Sequence, residues 1–278
     1  MLGYRHAFHA GNHGDILKHF ILFHSLEYLR QKDVPLLYVD THAGAGSYQL
    51  ESGYAAQNKE WLDGFQRLRQ TLSPLPESLI QFRDFLESWI AHTGSYPGSP
   101  AIADHLLRET DRRIFFEMHP SDFLFLKEAF EHKKQVSVLN TDGFSGLKAF
   151  LPPPSRRACI FIDPSYELAS DYEKLLEMIK DALRRFATGT YLIWYPLLSR
   201  PEAKELPEKL LSLYSGNRCS IEIQVTEAHE RGMFGSGVVI FNPPWVLHRI
   251  IPEAIPILAD ILSVKRDKPE PNFRFQFF

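Results

Sequence analysis

Short apolar segments of strand length alternate with longer segments of helical periodicity along most of this 278-residue chain. The apolar segments are LLYVD at 36–40, RIFFE at 113–117, QVSVLN at 135–140, ACIFID at 158–163, TYLIWYP at 190–196, and then SIEIQV and GVVIF. Helical patterns lie at about 14–30, 58–92, 121–132, 143–150, 171–186, 201–214 and 254–263. This alternation predicts an α/β fold with a mostly parallel sheet covered by helices on both faces.

The end of the chain departs from the alternation. SIEIQV and GVVIF follow each other with only TEAHERGMFGS between them, so the last two strands could form an antiparallel pair instead of continuing the parallel sheet. The tail KRDKPEPNFRFQFF at 265–278 is rich in charge and proline, which predicts a loose terminus.

A long stretch without strand signals separates the first two apolar segments. Residues 58–92 have helical periodicity with a break at SPLP, and YPGSP at 96–100 marks the end of this stretch. We therefore predict a main domain of residues 1–50 and 96–278, with a helical insertion subdomain at 51–95. A chain of this length is long enough to bury a substantial core.

Charge and cysteine content restrict the classes of partner. The net charge of −3 argues against binding of a polyanion by the whole surface, so RNA or DNA would need a local basic face. Candidates for that face are Arg156, Arg157, Arg184 and Arg185. Cys159 and Cys219 form no CxxC pattern, which argues against a disulfide framework and a zinc site and favours a reducing cytoplasm.

Charged residues interrupt the first thirty positions, and no apolar run approaches the roughly 20 residues that a membrane span needs. We expect a soluble, unprocessed cytoplasmic protein without a membrane partner. His6, His9 and His13 do not have the spacing of a helical or finger-type metal site, and no cysteine lies near them, so we expect no metal.

Residues typical of ligand sites follow four of the predicted strands. The first strand leads into DTHAGAGS, in which Gly44 and Gly46 permit close backbone approach to a ligand, and the second ends at Glu117. The third leads to Asp142 in TDG, and the fourth to DPSY at 163–166. Because ligands of doubly wound sheets bind at the carboxyl ends of the strands, this order predicts one nucleotide-type site.

The glycine loop discriminates between two nucleotide cofactors. A dinucleotide fingerprint has the pattern GxGxxG, whereas GAGSYQ places Gln49 where the last glycine belongs. An acid after the second strand suits a ribose diol, and Asp142 suits an adenine amino group. S-adenosylmethionine therefore fits the pattern better than NAD.

DPSY approximates the Asp/Asn-Pro-Pro-aromatic tetrapeptide with which enzymes hold an exocyclic amino group for methyl transfer. An adenine N6 lone pair is conjugated with its ring until acceptors hold the two amino hydrogens. The Asp163 carboxylate and the Pro164 carbonyl would be those acceptors, and Tyr166 would stack on a base taken out of its helix. Ser165 replaces the second proline, which would have biased Pro164 toward an extended backbone.

A second stretch of this kind is NPPW at 242–245, late in the chain. Its prolines most simply end the pairing of the strand before it. We therefore assign the chemistry to DPSY and not to NPPW.

Several segments together resemble the RlmJ-type 23S ribosomal RNA adenine-N6 methyltransferases across nearly the whole chain. They are YRHAFHAGNHGDILKH, DTHAGAGSY, YPGSP, HPSD, DGF, LPP with SRR, IDPSYE, RFATGTYLIWYP and SGVVIFNPPW. The resemblance implies a class I S-adenosylmethionine-dependent methyltransferase (Rossmann-like) sheet with a small helical insertion. It also implies an enzyme that works alone, as a monomer without an obligate protein partner, on protein-free 23S ribosomal RNA.

Roles of single residues follow from matching positions in that family. The resemblance implies that the donor S-adenosylmethionine is bound by Lys18, His19, His42, Ser99, Glu117, Asp142, Gly143 and Asp163. It implies that Asp163 is catalytic, with Pro164 and Tyr166, and that Tyr4 and His6 approach the target base. Ser165 is the departure from the family tetrapeptide.

Two alternatives remain open at this stage. The tetrapeptide does not distinguish ribose from deoxyribose, so the substrate could be adenine in DNA or in another RNA. Ser165 could also have weakened turnover, which would leave a nucleic-acid-binding protein with a methyltransferase fold.

Overall fold

The computed structural model describes residues 6–50, 58–230, 232–263 and 272–278. The helices are α1 (His13–Leu29), α2 (Phe65–Gln70), α3 (Glu77–Thr93), α4 (Ser99–Leu106), α5 (Pro120–Phe130), α6 (Gly143–Gly146), α7 (Ala169–Arg185), α8 (Pro201–Ser212) and α9 (Val246–Leu262). The strands are β1 (Leu37–Asp40), β2 (Ser47–Gln49), β3 (Ser95–Pro97), β4 (Arg112–Phe116), β5 (Val136–Leu139), β6 (Ala158–Ile162), β7 (Thr190–Leu197), β8 (Arg218–Gln224), β9 (Gly235–Phe241) and β10 (Phe273–Phe277).

Within these ranges, eight strands form one sheet in the order β10-β8-β9-β7-β6-β1-β4-β5. The strands from β7 through β6, β1 and β4 to β5 are parallel, whereas β9 lies antiparallel between β7 and β8. The predicted α/β class and the parallel core of the sheet are confirmed. The last two apolar segments pair antiparallel, which was the alternative that the sequence left open. The chain reverses its direction of winding between β1 and β6, the position at which doubly wound sheets bind ligands.

The two faces of the sheet bury separate apolar clusters. One cluster joins α1, α4 and α9 to the sheet through residues such as Ile21, Ile102 and Ile255. The other joins α7 and α8 to the opposite face through residues such as Leu175 and Leu206. Helices on both faces explain why the central strands are continuous apolar runs.

Helix α1 brings a polar end to this apolar layer. Its middle is buried among α4, β9 and α9, and its first turn is capped by Asn12, whose Oδ1 accepts from the Asp15 amide at 3.0 Å. Asp15, Lys18 and His19 are all buried in this first part of the helix. Such burial of charged groups requires partners, and these lie at the carboxyl end of the sheet.

Helices α2 and α3 occupy the stretch predicted to be an insertion. Phe82 of α3 packs edge-on against Phe20 of α1 at 5.8 Å, so these helices share the core of the main sheet. The short strands β2 and β3 pair antiparallel at the two ends of the stretch. Neither was predicted, because three residues are too few to show a strand period. The domain boundaries at 51 and 95 remain a prediction.

Two predictions about the end of the chain were wrong. Helix α9 begins at Val246 rather than near 254, because Pro252 and Pro256 lie inside it and obscured its periodicity. The loose terminus is wrong for the last residues of the tail, because β10 pairs antiparallel with β8 and the side chain of Arg274 binds Glu222 of that strand at 2.5 Å; residues 265–271 of the predicted tail lie outside the described residues. Among the described residues, no helix has the length and apolarity needed to cross a membrane.

Candidate active site

A cavity opens at the carboxyl ends of β1, β4 and β6, beside the first turns of α1. Its walls contain nearly all of the predicted site residues that the structure describes. These are His6, Lys18, His19, His42, Ser99, Glu117, Asp142, Gly143, Asp163 and Pro164. Tyr4 lies outside the described residues, and Tyr166 lies beneath the cavity rather than in its wall.

The carboxylate of Asp163 is held by Lys18. Lys18 Nζ donates to Asp163 Oδ2 at 2.5 Å, and the ammonium also lies 5.1 Å from the ring centre of Trp194 on β7. The Lys18 side chain is 4% exposed and that of Asp163 is 14% exposed. A short, charge-assisted bond in a poorly hydrated place fixes the direction in which the carboxylate points.

Tyr166 is 3% exposed, and its hydroxyl donates to the Trp194 carbonyl at 2.5 Å. The ring packs against Tyr172 and Trp194. Its backbone φ of 53° lies in the left-handed region, which is strained for a side chain of this size. In this structure the ring is therefore a support beneath the DPSY turn, and stacking on a target base requires it to leave this position.

Glu117 joins the loops that follow β1 and β4. The Gly44 amide donates to Oε2 at 2.7 Å and the His119 amide donates to Oε1 at 2.6 Å. Burial raises the pKa of this carboxyl, while the two amide bonds oppose the rise. Each oxygen keeps a second lone pair for a ligand hydroxyl, which suits a ribose diol.

Asp142 is the N-cap of α6, since its Oδ1 accepts from the Phe144 amide at 2.9 Å. Gly143 follows in close contact with the end of β1: a Cβ there would lie 2.0 Å from the Thr41 carbonyl oxygen. Only glycine fits at this position. The cap role and the cavity position of Asp142 are compatible, because a carboxylate has a second oxygen.

The two histidines of the predicted donor site are neutral at physiological pH. Burial lowers the pKa of His19 and of His42 to about 3 in each case. His19 Nδ1 hydrogen-bonds with the Tyr96 hydroxyl at 3.0 Å, and His42 Nδ1 with the Thr41 hydroxyl at 2.8 Å. Ser99 begins α4 beneath them and hydrogen-bonds with the buried Asp40.

Sequence reasoning missed three residues of this region. Met118 and Phe144 line the cavity, directly after Glu117 and Gly143, and supply apolar surface. Asp15 is 1% exposed and lies against Lys18, with its Oδ1 2.7 Å from Lys18 Nζ. An acid in the first turn of a helix is common for dipole reasons alone, so no pattern in the sequence indicates this contact.

The donor set fits S-adenosylmethionine. The carboxylates of Glu117, Asp142 and Asp163 face a cavity whose histidines His19 and His42 are neutral, which suits a ligand with a positive sulfonium and several hydrogen-bond donors. Met118 and Phe144 offer apolar surface for a flat ring. Among the described residues, no cluster of three or more His, Cys, Asp or Glu side chains could hold a metal ion.

NPPW lies at the opposite end of the strands from the cavity, beside the amino end of β7. Strand β9 runs antiparallel to β7, so the end of β9 is remote from the carboxyl ends of the parallel strands. Asn242 Nδ2 donates to the carbonyls of Ala187 and Gly189 at 2.8 and 2.7 Å, and its Oδ1 accepts from Tyr214. These hydrogen bonds stabilise the turn between β9 and α9, which is a structural role.

The four arginines proposed for phosphate contacts also lie away from the cavity. Arg156 and Arg157 precede β6, and Arg157 donates to the carbonyls of Leu29 and Val34. Arg184 and Arg185 end α7, and both pair with Asp181. The amino ends of these strands and the end of α7 face away from the cavity, so this set is not a basic face around the site.

Comparisons with known proteins agree with this geometry. The family model described as Ribosomal RNA large subunit methyltransferase D, RlmJ matches residues 33–270. The chain is 42% identical over 261 residues to Ribosomal RNA large subunit methyltransferase J of Escherichia coli (strain K12), with 93% of each chain covered. It is 40% identical over 267 residues to the protein of the same name from Haemophilus influenzae, with 94% of each covered.

A solved structure supports the fold across the full length. A crystal structure of a protein from Legionella pneumophila str. Philadelphia 1 superposes with a TM-score of 0.85 at 32% identity and covers 97% of this chain and 98% of the other. The class I methyltransferase fold and S-adenosylmethionine as cofactor, both expected from the sequence, are confirmed by the family and this fold. The chain therefore belongs to the RlmJ family of ribosomal RNA large subunit methyltransferases.

Proposed function

We propose that this protein transfers a methyl group from S-adenosylmethionine to N6 of an adenine in 23S ribosomal RNA. The relatives named as ribosomal RNA methyltransferases support the substrate class. The observation that carries the proposal is the position of Asp163 and Pro164 in the wall of the cavity that also contains the predicted donor-binding side chains. A methyl acceptor held by this turn would face the donor directly.

The chemistry proposed for this turn is orientation and proton acceptance. The bound cofactor supplies a methyl group activated on a sulfonium sulfur. The Asp163 carboxylate and the Pro164 carbonyl accept hydrogen bonds from the two N6 hydrogens and draw the nitrogen toward tetrahedral geometry. The lone pair of the nitrogen then points along the line of transfer. As the N6–C bond forms, the bond between the methyl carbon and the sulfonium sulfur breaks and S-adenosylhomocysteine leaves as a neutral thioether. The nitrogen then loses one proton, and Asp163 is the nearby base.

The remaining roles are proposed from position. Lys18, His19, His42, Ser99, Glu117, Asp142 and Gly143 surround the donor, and Tyr4 and His6 approach the target base. His6 is in the cavity wall, which supports its role. We further propose that the enzyme acts as a monomer in the cytoplasm on protein-free RNA, without an obligate protein partner.

A comparison of matched substrates tests the proposal. Purified protein and labelled S-adenosylmethionine are incubated with protein-free 23S RNA lacking the modification, and with RNA and DNA hairpins of one sequence around each labelled adenine. We expect N6-methyladenosine in the RNA by mass spectrometry, and little transfer to DNA. Preferential transfer to DNA would show that DNA is the substrate instead of RNA. Cofactor binding without any transfer would favour a nucleic-acid-binding protein whose turnover Ser165 has weakened.

A further inference from the structure

Asp15 makes three contacts although it is almost completely buried. Its Oδ2 accepts from the Gly11 amide at 2.7 Å and from His6 Nε2 at 3.1 Å, and its Oδ1 lies 2.7 Å from Lys18 Nζ. Burial alone would raise the pKa of this carboxyl, but His6 and Lys18 outweigh burial and hold the pKa well below its usual range. Asp15 therefore carries a negative charge at physiological pH.

The ammonium of Lys18 is shared by two carboxylates. One ammonium lies between two carboxylates, Asp15 at 2.7 Å and Asp163 at 2.5 Å. A single carboxylate would already compensate a buried lysine. The second carboxylate gives these three side chains a net charge of −1, not counting the His6 imidazole on the other side of Asp15, so the positive charge of Lys18 is shared and not concentrated on Asp163.

Sharing of this kind affects the acceptor strength of Asp163. A carboxylate in an exclusive ion pair is a weaker acceptor for a further donor, because its charge is already neutralised at short range. A carboxylate that shares its lysine with Asp15 keeps more of its negative potential toward the cavity. The N6 hydrogens of a target adenine are the donors that would meet this potential.

We propose that Asp15 is a positioning residue for methyl transfer, which acts through Lys18 to hold and charge Asp163. The inference rests on the proposed function, because it assigns Asp163 as the acceptor of the N6 hydrogens. Asp15 also binds His6, so one buried carboxylate connects a residue of the cavity wall to the acceptor. No contact of Asp15 with substrate or cofactor is involved.

A purely structural role for Asp15 is the competing explanation. The residue lies in the first turn of α1, where the helix dipole stabilises an acidic side chain, and it accepts a hydrogen bond from the Gly11 amide. Loss of such a role lowers the melting temperature but leaves the turnover of folded enzyme unchanged. The two roles therefore separate when turnover and melting temperature are measured on the same variant.

Asp15→Asn removes the charge while it keeps the shape of the side chain. We expect kcat to fall at least about tenfold well below the melting temperature, with the dissociation constant for S-adenosylmethionine, measured by calorimetry, changed less than threefold. The matched control is Asp111→Asn, a carboxylate 0% exposed that pairs with Arg108 far from the cavity. Asp111→Asn should lower the melting temperature without lowering kcat. An unchanged kcat in folded Asp15→Asn would overturn the proposal.

A second comparison tests whether the effect of Asp15 passes through Lys18. Lys18→Met and the double variant Asp15→Asn/Lys18→Met leave the same neighbourhood with and without the Asp15 charge. Because Asp15 acts through Lys18, the second exchange should add less than about a threefold loss of kcat to the first. A further tenfold loss would show that Asp15 acts by another route.

The substrate of these assays keeps the two proposals apart. Each variant is compared with wild type on whichever of the RNA and DNA hairpins wild type methylates. A wrong substrate class then appears in the wild-type measurement, and a wrong role for Asp15 appears only in the ratio of variant to wild type.

Discussion

Ser165 is the one residue of the DPSY turn that departs from the family tetrapeptide. It is exposed at the cavity, between the buried Pro164 and the buried Tyr166. The turn is already held from below by the bond from the Tyr166 hydroxyl to Trp194, and the Arg200 guanidinium donates to the Tyr166 carbonyl at 3.3 Å. These contacts take over part of the restraint that a second proline would give to the Pro164 carbonyl.

Ser165→Pro should therefore leave kcat equal to or above that of wild type, because proline restricts Pro164 to the extended region and aims its carbonyl more firmly. The measurement is kcat at saturating S-adenosylmethionine and RNA, with Ser165→Ala as the matched control for loss of the hydroxyl. A fall of more than about tenfold for proline but not for alanine would show that the backbone at 165 needs a geometry that proline forbids.

At the scale of single residues, strand ends were predictable and helix interiors were not. Glu117, Asp142 and Asp163 follow apolar runs, and the carboxyl ends of parallel strands meet at one edge, so their approach could be inferred from order alone. Lys18 entered only through the family resemblance. Asp15 was missed because its contact with Lys18 of the same helix matters only through Asp163, which lies 145 positions beyond Lys18 on another element, and no local pattern encodes that second contact.

At the scale of elements, the loop before α1 is bound to residues 60–65, which lead into α2. His9 Nδ1 donates to Glu60 at 2.9 Å, and Asn12 Nδ2 donates to the same carboxylate at 3.0 Å. The Phe65 amide donates to the Gly11 carbonyl at 2.9 Å. The stretch predicted as an insertion thus holds the loop whose Gly11 amide binds Asp15.

Gly64→Ala tests this connection, because a Cβ at 64 would lie 2.2 Å from the Gly11 carbonyl oxygen and 2.4 Å from the Asn12 carbonyl carbon. These are backbone atoms, so the loop must move and carry the Gly11 amide away from Asp15. We expect a lower melting temperature and a fall in kcat of about tenfold. Gln70→Ala, an exposed exchange on the same helix, is the control. A variant with lower stability but full kcat would separate the loop from catalysis.

The elements that the sequence predicted are those with long, regular patterns. The central strands are apolar runs because helices cover both faces, and α7 has a clear polar face. The missed elements had weak or interrupted patterns: β2 and β3 are three residues long, and prolines lie inside α9. β10 has the alternation FRFQF, but the charged residues and prolines just before it favour a loose terminus.

At the scale of the whole molecule, buried histidines couple folding to pH. Burial lowers the pKa of His13 and His24 to about 4 and that of His19 and His42 to about 3, against an ordinary value of 6.5. The unfolded chain takes up protons at these positions below pH 6.5, whereas the folded protein does not until the lower pKa is reached. Stability that is complete above pH 6.5 is therefore lost as the pH falls toward these values.

His24→Gln isolates one of these groups outside the active site. His24 is 4% exposed and its Nε2 donates to the Ser78 carbonyl at 3.0 Å, a bond that glutamine can replace. Between pH 6.5 and 4, the variant should lose on the order of 3 kcal/mol less unfolding free energy than wild type. Urea unfolding at several pH values measures this, with the surface exchange His229→Gln as control. Parallel curves for wild type and His24→Gln would contradict the expectation.

Asp40 contributes to the pH dependence of folding stability with the opposite sign. Burial raises its pKa from 3.8 to about 7, so the stability that it adds in its neutral form is present below pH 3.8 and is lost as the pH rises toward 7. This term is common to wild type and the histidine variant. It therefore cancels in their difference, which is the reason to compare curves and not single values.

The proposed acceptor Asp163 connects all three scales, because it follows β6, its carboxylate binds Lys18, and the proposed methyl transfer depends on it. The most direct test is mass spectrometry of N6-methyladenosine in unmodified, protein-free 23S RNA after incubation with S-adenosylmethionine and either wild type or Asp163→Ala. Asp181→Ala, at the far end of α7, serves as the control and should behave as wild type. We expect Asp163→Ala to keep the fold and to lower transfer by about a thousandfold or more. Wild-type levels of N6-methyladenosine made by folded Asp163→Ala would contradict it.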